Sequence, residues 1–102
     1  MKAKERIDAI LKGNDKLSPL TCIICHADAN TLNDIQDLIE DSGLPIQDVL
    51  DAVNKEWNKH NKGTYTTRKY FVLERGRLRL NVDPSQHITV KNFVETLEKM
   101  LK

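Results

Sequence analysis

Apolar residues recur at helical spacing in five stretches of the chain, and two of these lie in its first third. The first stretch runs from Ala3 to Lys12, where Gly13 is a typical helix stop. The second runs from Ser18 to Ala27, with Ser18 placed to cap it and Pro19 in the first helical position. Its apolar positions follow the i, i+3, i+4, i+7 pattern of one helix face: Leu20, Ile23, Ile24 and Ala27.

Two further amphipathic stretches are separated by a short turn at Gly43. The third predicted helix spans Leu32–Asp41 and is capped by Thr31, and the fourth spans Pro45–Lys59. Gly43 should end the third helix, because glycine enters the left-handed conformation at low cost. The residues expected to face inward are Leu32, Ile35, Leu38, Ile39, Ile46, Val49, Leu50, Val53 and Trp57.

The segment after the fourth helix has the alternating pattern of a β-hairpin. Thr64–Leu73 and Leu78–Val82 are the two predicted strands, joined by a two-residue loop at Arg75 and Gly76. The loop sets a register that pairs Leu73 with Leu78, Phe71 with Leu80, Lys69 with Val82, and Val72 with Arg79. This register gathers apolar side chains on one face, so the alternation and the loop chemistry agree.

A fifth amphipathic stretch spans residues 89–101, and Thr89 is its predicted cap. Its apolar stripe either docks on the rest of the chain or meets its copy in a homodimer. A length of 102 residues fits one domain, 1–102, with a modest core. The sequence therefore predicts a mainly helical α+β domain with one antiparallel hairpin and flanking helices at 3–12 and 89–101.

Charge is distributed unevenly, although the net charge is only +1. Residues 31–60 carry seven acids against two lysines, and residues 61–82 carry six bases against one glutamate. Opposite local charges of this kind steer the approach of a charged partner, and they are also common as two solvated faces. The sequence has no apolar run of signal or membrane-span length, so we expect a cytoplasmic protein with no membrane partner.

Residues 18–82 resemble a winged helix-turn-helix domain. The resemblance is carried by Ile35-Gln36-Asp37-Leu38-Ile39-Glu40-Asp41-Ser42-Gly43-Leu44-Pro45, followed by Val49, Leu50 and Val53. The segment is similar to small bacterial winged-helix regulators and to the winged helices of chromosome segregation and condensation proteins. The terminal helices look like the dimerisation helices of ArsR-type repressors. The resemblance implies three core helices and a wing, at Ser18–Ala27, Leu32–Asp41, Pro45–Lys59 and Thr66–Val82.

The same resemblance implies a small transcriptional regulator that binds double-stranded DNA. Its third core helix would enter the major groove, and its wing would touch the backbone or the minor groove. The implied contacts are Gln47, Asn54, Lys55 and Asn58 on the helix, and Arg68, Lys69, Arg75, Arg77 and Arg79 on the wing. Asp48 and Asp51 share the exposed face of that helix and would repel phosphate. The alternative is a non-enzymatic module that binds a protein partner through this acidic helix face.

Cys22, Cys25 and His26 match the C-x-x-C-H signature of c-type haem attachment. Zinc is a second option, in which the same three residues bind the metal with His60 or His87 as a fourth ligand. Redox sensing by the two thiols is a third. A regular helix over this segment favours instead two small apolar cysteines packed under the first helix. No catalytic constellation is found elsewhere, so we predict a non-enzyme with no metal and no cofactor.

Overall fold

The computed structural model describes residues 2–25, 28–60, 69–81 and 87–101. These residues form four helices and one antiparallel two-stranded sheet. In chain order they are α1 (Lys2–Leu11), α2 (Ala29–Ser42), α3 (Ile46–His60), β1 (Phe71–Glu74), β2 (Arg77–Leu80) and α4 (Val90–Met100). The mainly helical α+β class, with one hairpin and a helix at each end, is as predicted.

The core forms where the apolar stripes of the helices meet. α2 packs against α1 and α3, and α4 packs against the same two helices. The deeply buried helical side chains include Ile7, Ile10, Ile35, Leu38, Ile39, Val49, Leu50, Phe93, Val94 and Leu97. Burying a side chain of this size contributes roughly 1.5–3 kcal/mol each. The inward faces predicted for the helices on either side of Gly43 are thus confirmed, except that Leu32, Ile46 and Trp57 are only half-buried.

The apolar stripe of α4 docks on the rest of the chain. Its side chains Val90, Phe93, Val94 and Leu97 are at most 1% exposed. Thr89 caps the helix as predicted, because its Oγ1 accepts the Asn92 N–H at 3.2 Å and Asn92 Oδ1 accepts the Thr89 N–H at 3.1 Å. A homodimer would therefore have to use surfaces other than this stripe.

The predicted helix over Ser18–Ala27 is wrong, since residues 18–25 contain no helix and residues 26 and 27 lie outside the described chain. Cys22 instead forms an isolated antiparallel bridge with Thr89. The Ile23 N–H donates to the Ile88 carbonyl at 2.6 Å, and the Val90 N–H donates to the Thr21 carbonyl at 2.9 Å. The distant segment thus supplies the backbone partners that helical hydrogen bonds would have provided.

α2 begins earlier than predicted, and its cap is Asp28 rather than Thr31. The Thr31 N–H donates to Asp28 Oδ1 at 2.7 Å, which satisfies one of the orphan donors of the first turn. The helix ends as predicted, because Gly43 has a φ of 74° in the left-handed region. Pro45 comes directly before α3, and its carbonyl accepts the Asp48 and Val49 N–H groups.

This cap can be tested by substitution. Asp28→Ala should lower the free energy of unfolding by about 1 kcal/mol, because the first turn of α2 loses its side-chain acceptor. Thr31→Ala should change the free energy by less than about 0.5 kcal/mol, as is usual away from capping and core positions. Urea denaturation of both variants measures the difference. A larger loss for Thr31→Ala than for Asp28→Ala would contradict the assignment.

The hairpin register is as predicted over the described residues. Phe71 pairs with Leu80, Val72 with Arg79, and Leu73 with Leu78. Arg75 and Gly76 have φ values of 54° and 76°, as a two-residue turn with both central residues at positive φ requires. Val82, the predicted partner of Lys69, and the strand residues 64–68 lie outside the described residues. Lys69 and Tyr70 come before β1 and are not part of it, so the first strand begins later than predicted at these two positions.

Candidate functional site

The turn end of the hairpin is held by the side chain of Gln36 in α2. Gln36 Nε2 donates to the Gly76 carbonyl at 2.8 Å, and Gln36 Oε1 accepts the Leu78 N–H at 3.0 Å. One amide group therefore satisfies a backbone acceptor and a backbone donor that the two strands leave unpaired. This contact fixes the tip of the hairpin against the outer side of α2.

The base of the hairpin is held by Asn54 in α3. Asn54 Oδ1 accepts the N–H groups of Tyr70 at 2.8 Å and Phe71 at 3.0 Å, and Asn54 Nδ2 donates to the Phe71 carbonyl at 3.2 Å. Asn54 is only 8% exposed, so it does not lie on the exposed face of the helix, where the implied DNA contacts were expected. Asn58 is half-buried and donates to the Asn54 carbonyl at 2.8 Å. Both asparagines of this helix therefore make hydrogen bonds within the fold.

The hairpin presents a cluster of cations, which we call the basic hairpin surface. Its members Lys69, Arg75, Arg77 and Arg79 are all exposed. Among the described residues, the salt bridges of the protein involve none of these four side chains. The fifth predicted wing cation, Arg68, lies outside the described residues. The predicted wing contacts that can be located are thus open to solvent.

A cleft of about 370 Å³ separates β2 from the first half of α2. Arg77 and Arg79 line one side of it, and Asn33 lies on the other. Both arginines follow the alternation of the strand, with Leu78 between them turned into the core. The cleft therefore offers two guanidinium groups and one amide to a ligand that approaches the hairpin.

The exposed face of α3 is acidic near its start. Gln47, Asp48, Asp51 and Lys55 are exposed, and Gln47 Nε2 donates to Asp51 Oδ1 at 3.0 Å. Of the four helix residues that the resemblance implied as DNA contacts, Gln47 and Lys55 are therefore exposed. They share that face with two carboxylates.

A second group of reactive side chains lies where the loop before α2 meets the residues that precede α4. Cys25 Sγ is 3.1 Å and Cys22 Sγ is 3.6 Å from His87 Nδ1, and the Cys25 N–H donates to Cys22 Sγ at 3.2 Å. Cys22 is half-buried and Cys25 is exposed, and neither forms a disulfide. The prediction that both are packed under the first helix is therefore wrong for Cys25. His26 lies outside the described residues.

The surroundings of Cys22 favour its thiolate. Burial raises the pKa of the Cys22 thiol, but hydrogen bonds with the Cys25 thiol and N–H, with His87 and with the Ile88 N–H outweigh burial and lower that pKa to about 6. The hydrogen bond to Cys22 raises the pKa of the Cys25 thiol, and burial adds to that rise. Both shifts favour the thiolate of Cys22 over that of Cys25.

The remaining observations concern the chain as a whole. Within the described residues, the longest helix is α3 with 15 residues, and none is both long and apolar enough to cross a membrane. No protein-family model matches the sequence, and comparison with curated proteins and with solved structures gives no significant match.

Proposed function

We propose that this chain is a small cytoplasmic DNA-binding regulator of the winged-helix type, in which the hairpin supplies most of the affinity. The observation that carries the proposal is the basic hairpin surface, with its four exposed cations. Lysine and arginine bind the DNA backbone because neutralising phosphates releases condensed counterions. Four cations on one small hairpin fit a backbone contact of this kind.

The two amide contacts support this role because they hold the hairpin in one orientation. Gln36 fixes its tip and Asn54 fixes its base. A ligand that binds a pre-organised surface does not have to order it, so less of the binding free energy is lost. The cleft lined by Arg77 and Arg79 could then receive a phosphate between the hairpin and α2.

The exposed face of α3 adds little to this proposal. Gln47 and Lys55 could contact base edges or phosphates, but Asp48 and Asp51 lie on the same exposed face. Base contacts rather than phosphate contacts carry sequence preference. We therefore propose a regulator that binds duplex DNA with modest discrimination between sequences.

The acidic surface favours a second candidate function, which is a protein-interaction module. The exposed acids of α2 and α3 are Asp37, Glu40, Asp41, Asp48 and Asp51. A surface of this charge attracts a basic protein segment and repels nucleic acid. In that case the basic hairpin surface would be solvated and would make no contact with the partner.

A titration of fluorescent duplex DNA at several salt concentrations tests the first candidate. Replacing Arg75, Arg77 and Arg79 together with alanine should weaken binding to any duplex. The slope of log K against log salt should become shallower by about 3, because about one counterion fewer is released for each phosphate that the variant no longer neutralises.

The matched control carries the same loss of charge elsewhere on the surface. Lys4, Lys91 and Lys99 are exposed on α1 and α4, and their triple alanine variant should retain most of the affinity and the slope. An equal loss of DNA affinity in both triple variants would mean that binding depends on the total charge of the protein and not on the hairpin. If the wild type does not bind duplex DNA even at low salt, the DNA proposal is refuted. Binding of a basic peptide that survives the hairpin substitutions would then support the second candidate.

A further inference from the structure

The two cysteines and His87 come from segments more than 60 residues apart that the fold brings side by side. Backbone hydrogen bonds join Ile23 to Ile88 and Thr21 to Val90 across the two segments. Ile23 and Ile88 are at most 1% exposed, so each segment is anchored in the core beside its ligating residue. Contacts outside the group of thiols and imidazole therefore hold the two segments together.

The spacing of the three ligand atoms suits one small metal ion. The two sulfurs and His87 Nδ1 all lie within 4.8 Å of one another. In a tetrahedral zinc site, bonds of about 2.3 Å to sulfur and about 2.0 Å to nitrogen place ligand atoms roughly 3.5–3.8 Å apart. The nitrogen–sulfur separations of 3.1 Å and 3.6 Å are close to that value before any adjustment.

We propose that Cys22, Cys25 and His87 bind one Zn²⁺ ion between the loop before α2 and the start of α4. Two thiolates and a neutral imidazole are ligands that zinc prefers, whereas magnesium and calcium require oxygen. The C-x-x-C segment already forms a turn in which the Cys25 N–H donates to the Cys22 sulfur. The three protein ligands leave one tetrahedral position for water or a further donor.

Zinc binding would displace protons and leave the oxidation state of the sulfurs unchanged. Each thiol that is protonated in the metal-free protein releases its proton to solvent as the zinc–sulfur bond forms. His87 binds through Nδ1, the nitrogen that faces both sulfurs. The ion would therefore replace the hydrogen bonds of the thiol cluster with three metal–ligand bonds.

The site would join α4 to the rest of the chain. His87 lies two residues before Thr89, the cap of α4, and Cys22 forms its backbone bridge with that same threonine. An ion held at this point secures both segments together. Because the unfolded chain does not bring these ligands together, the free energy of zinc binding stabilises the folded state.

The test uses the full chain, kept reduced and stripped with a chelator, and then titrated with Zn²⁺. We expect binding of one equivalent of zinc per chain. At a free zinc concentration about 100-fold above Kd, the midpoint of thermal unfolding should rise by about 10–20 °C. Cys22→Ser, Cys25→Ser and His87→Ala should each weaken binding by at least the ~10- to 100-fold that follows loss of an outer-shell partner.

Ser18→Ala is the control, since it changes an exposed side chain of the same loop and removes no ligand. It should bind zinc with the affinity of the wild type. Co²⁺ provides a second measurement that does not depend on stability. Its thiolate charge-transfer absorption should fall by about half in each cysteine variant that retains cobalt, and should persist in His87→Ala.

Three outcomes would overturn the proposal. One is the absence of stoichiometric zinc binding by the reduced wild type. Another is unchanged zinc affinity in all three ligand variants. The third is a Cys22–Cys25 disulfide that forms readily while the reduced protein does not bind zinc. That result would assign the two cysteines to redox chemistry instead.

Discussion

Asn54→Ala should lower the free energy of unfolding by about 3 kcal/mol. The alanine would remove the acceptor of the Tyr70 and Phe71 N–H groups at a site that is only 8% exposed. Each buried donor left without a partner costs about 1–3 kcal/mol. Urea denaturation, followed by circular dichroism, measures the loss.

The controls are Gln47→Ala and Lys55→Ala, at exposed positions of the same helix. Each should change the free energy of unfolding by less than about 0.5 kcal/mol. The comparison separates the structural role of Asn54 from the role in DNA binding that the sequence suggested. Unchanged stability in Asn54→Ala, together with a change in DNA sequence preference, would contradict the structural role.

Phe93→Ala should destabilise the protein by about 3–5 kcal/mol, the usual cost of removing a buried aromatic ring. Phe93 is 1% exposed, and its ring lies 6.1 Å from that of Phe71 at an angle of 63°. The substitution therefore leaves a cavity where α4 meets the first strand of the hairpin. Thermal and urea unfolding both measure the effect, and Lys91→Ala, an exposed neighbour on the same helix, should be nearly neutral.

The same experiment distinguishes docking within the chain from dimer formation. If α4 is buried within its own chain, the unfolding midpoint of the wild type should not change with protein concentration. A midpoint that rises with concentration in the wild type and not in Phe93→Ala would show that the stripe meets a second copy. Unfolding at several concentrations gives the answer.

The features that the sequence predicted correctly are those encoded by neighbouring residues. A helix stripe repeats every three or four residues, and Gly43 marks its stop within the same window. The register of the hairpin follows from the two-residue loop, because each pair is counted outward from Arg75 and Gly76. Such signals need no knowledge of the remainder of the fold.

The prediction of a helix over Ser18–Ala27 was wrong for the opposite reason. Its apolar spacing fits a helix, but Leu20 is 82% exposed, and Ile23 is buried beside Ile88 from the other end of the chain. The competing backbone partners, Ile88 for Ile23 and Val90 for Thr21, come from the segment that leads into α4. Helical periodicity carries no information on such a partner, so the local pattern was outweighed by a tertiary contact.

The candidate sites show the same limit. His87 was one of two histidines proposed from sequence as a further zinc ligand, and only the fold places it beside Cys22 and Cys25. Asn54 was one of the helix residues that the resemblance implied as DNA contacts. Its position four residues after Leu50 puts it on the buried side, a signal that helical spacing could have provided.

The two amide contacts to the hairpin have a mechanical consequence. Gln36 belongs to α2 and Asn54 to α3, so the hairpin is attached to one helix at its tip and to the other at its base. The short turn at Gly43 joins those helices. Any rotation of α3 relative to α2 must either tilt the hairpin or break its hydrogen bonds to Gln36 or to Asn54. The direction in which the hairpin arginines point therefore reports the angle between the two helices.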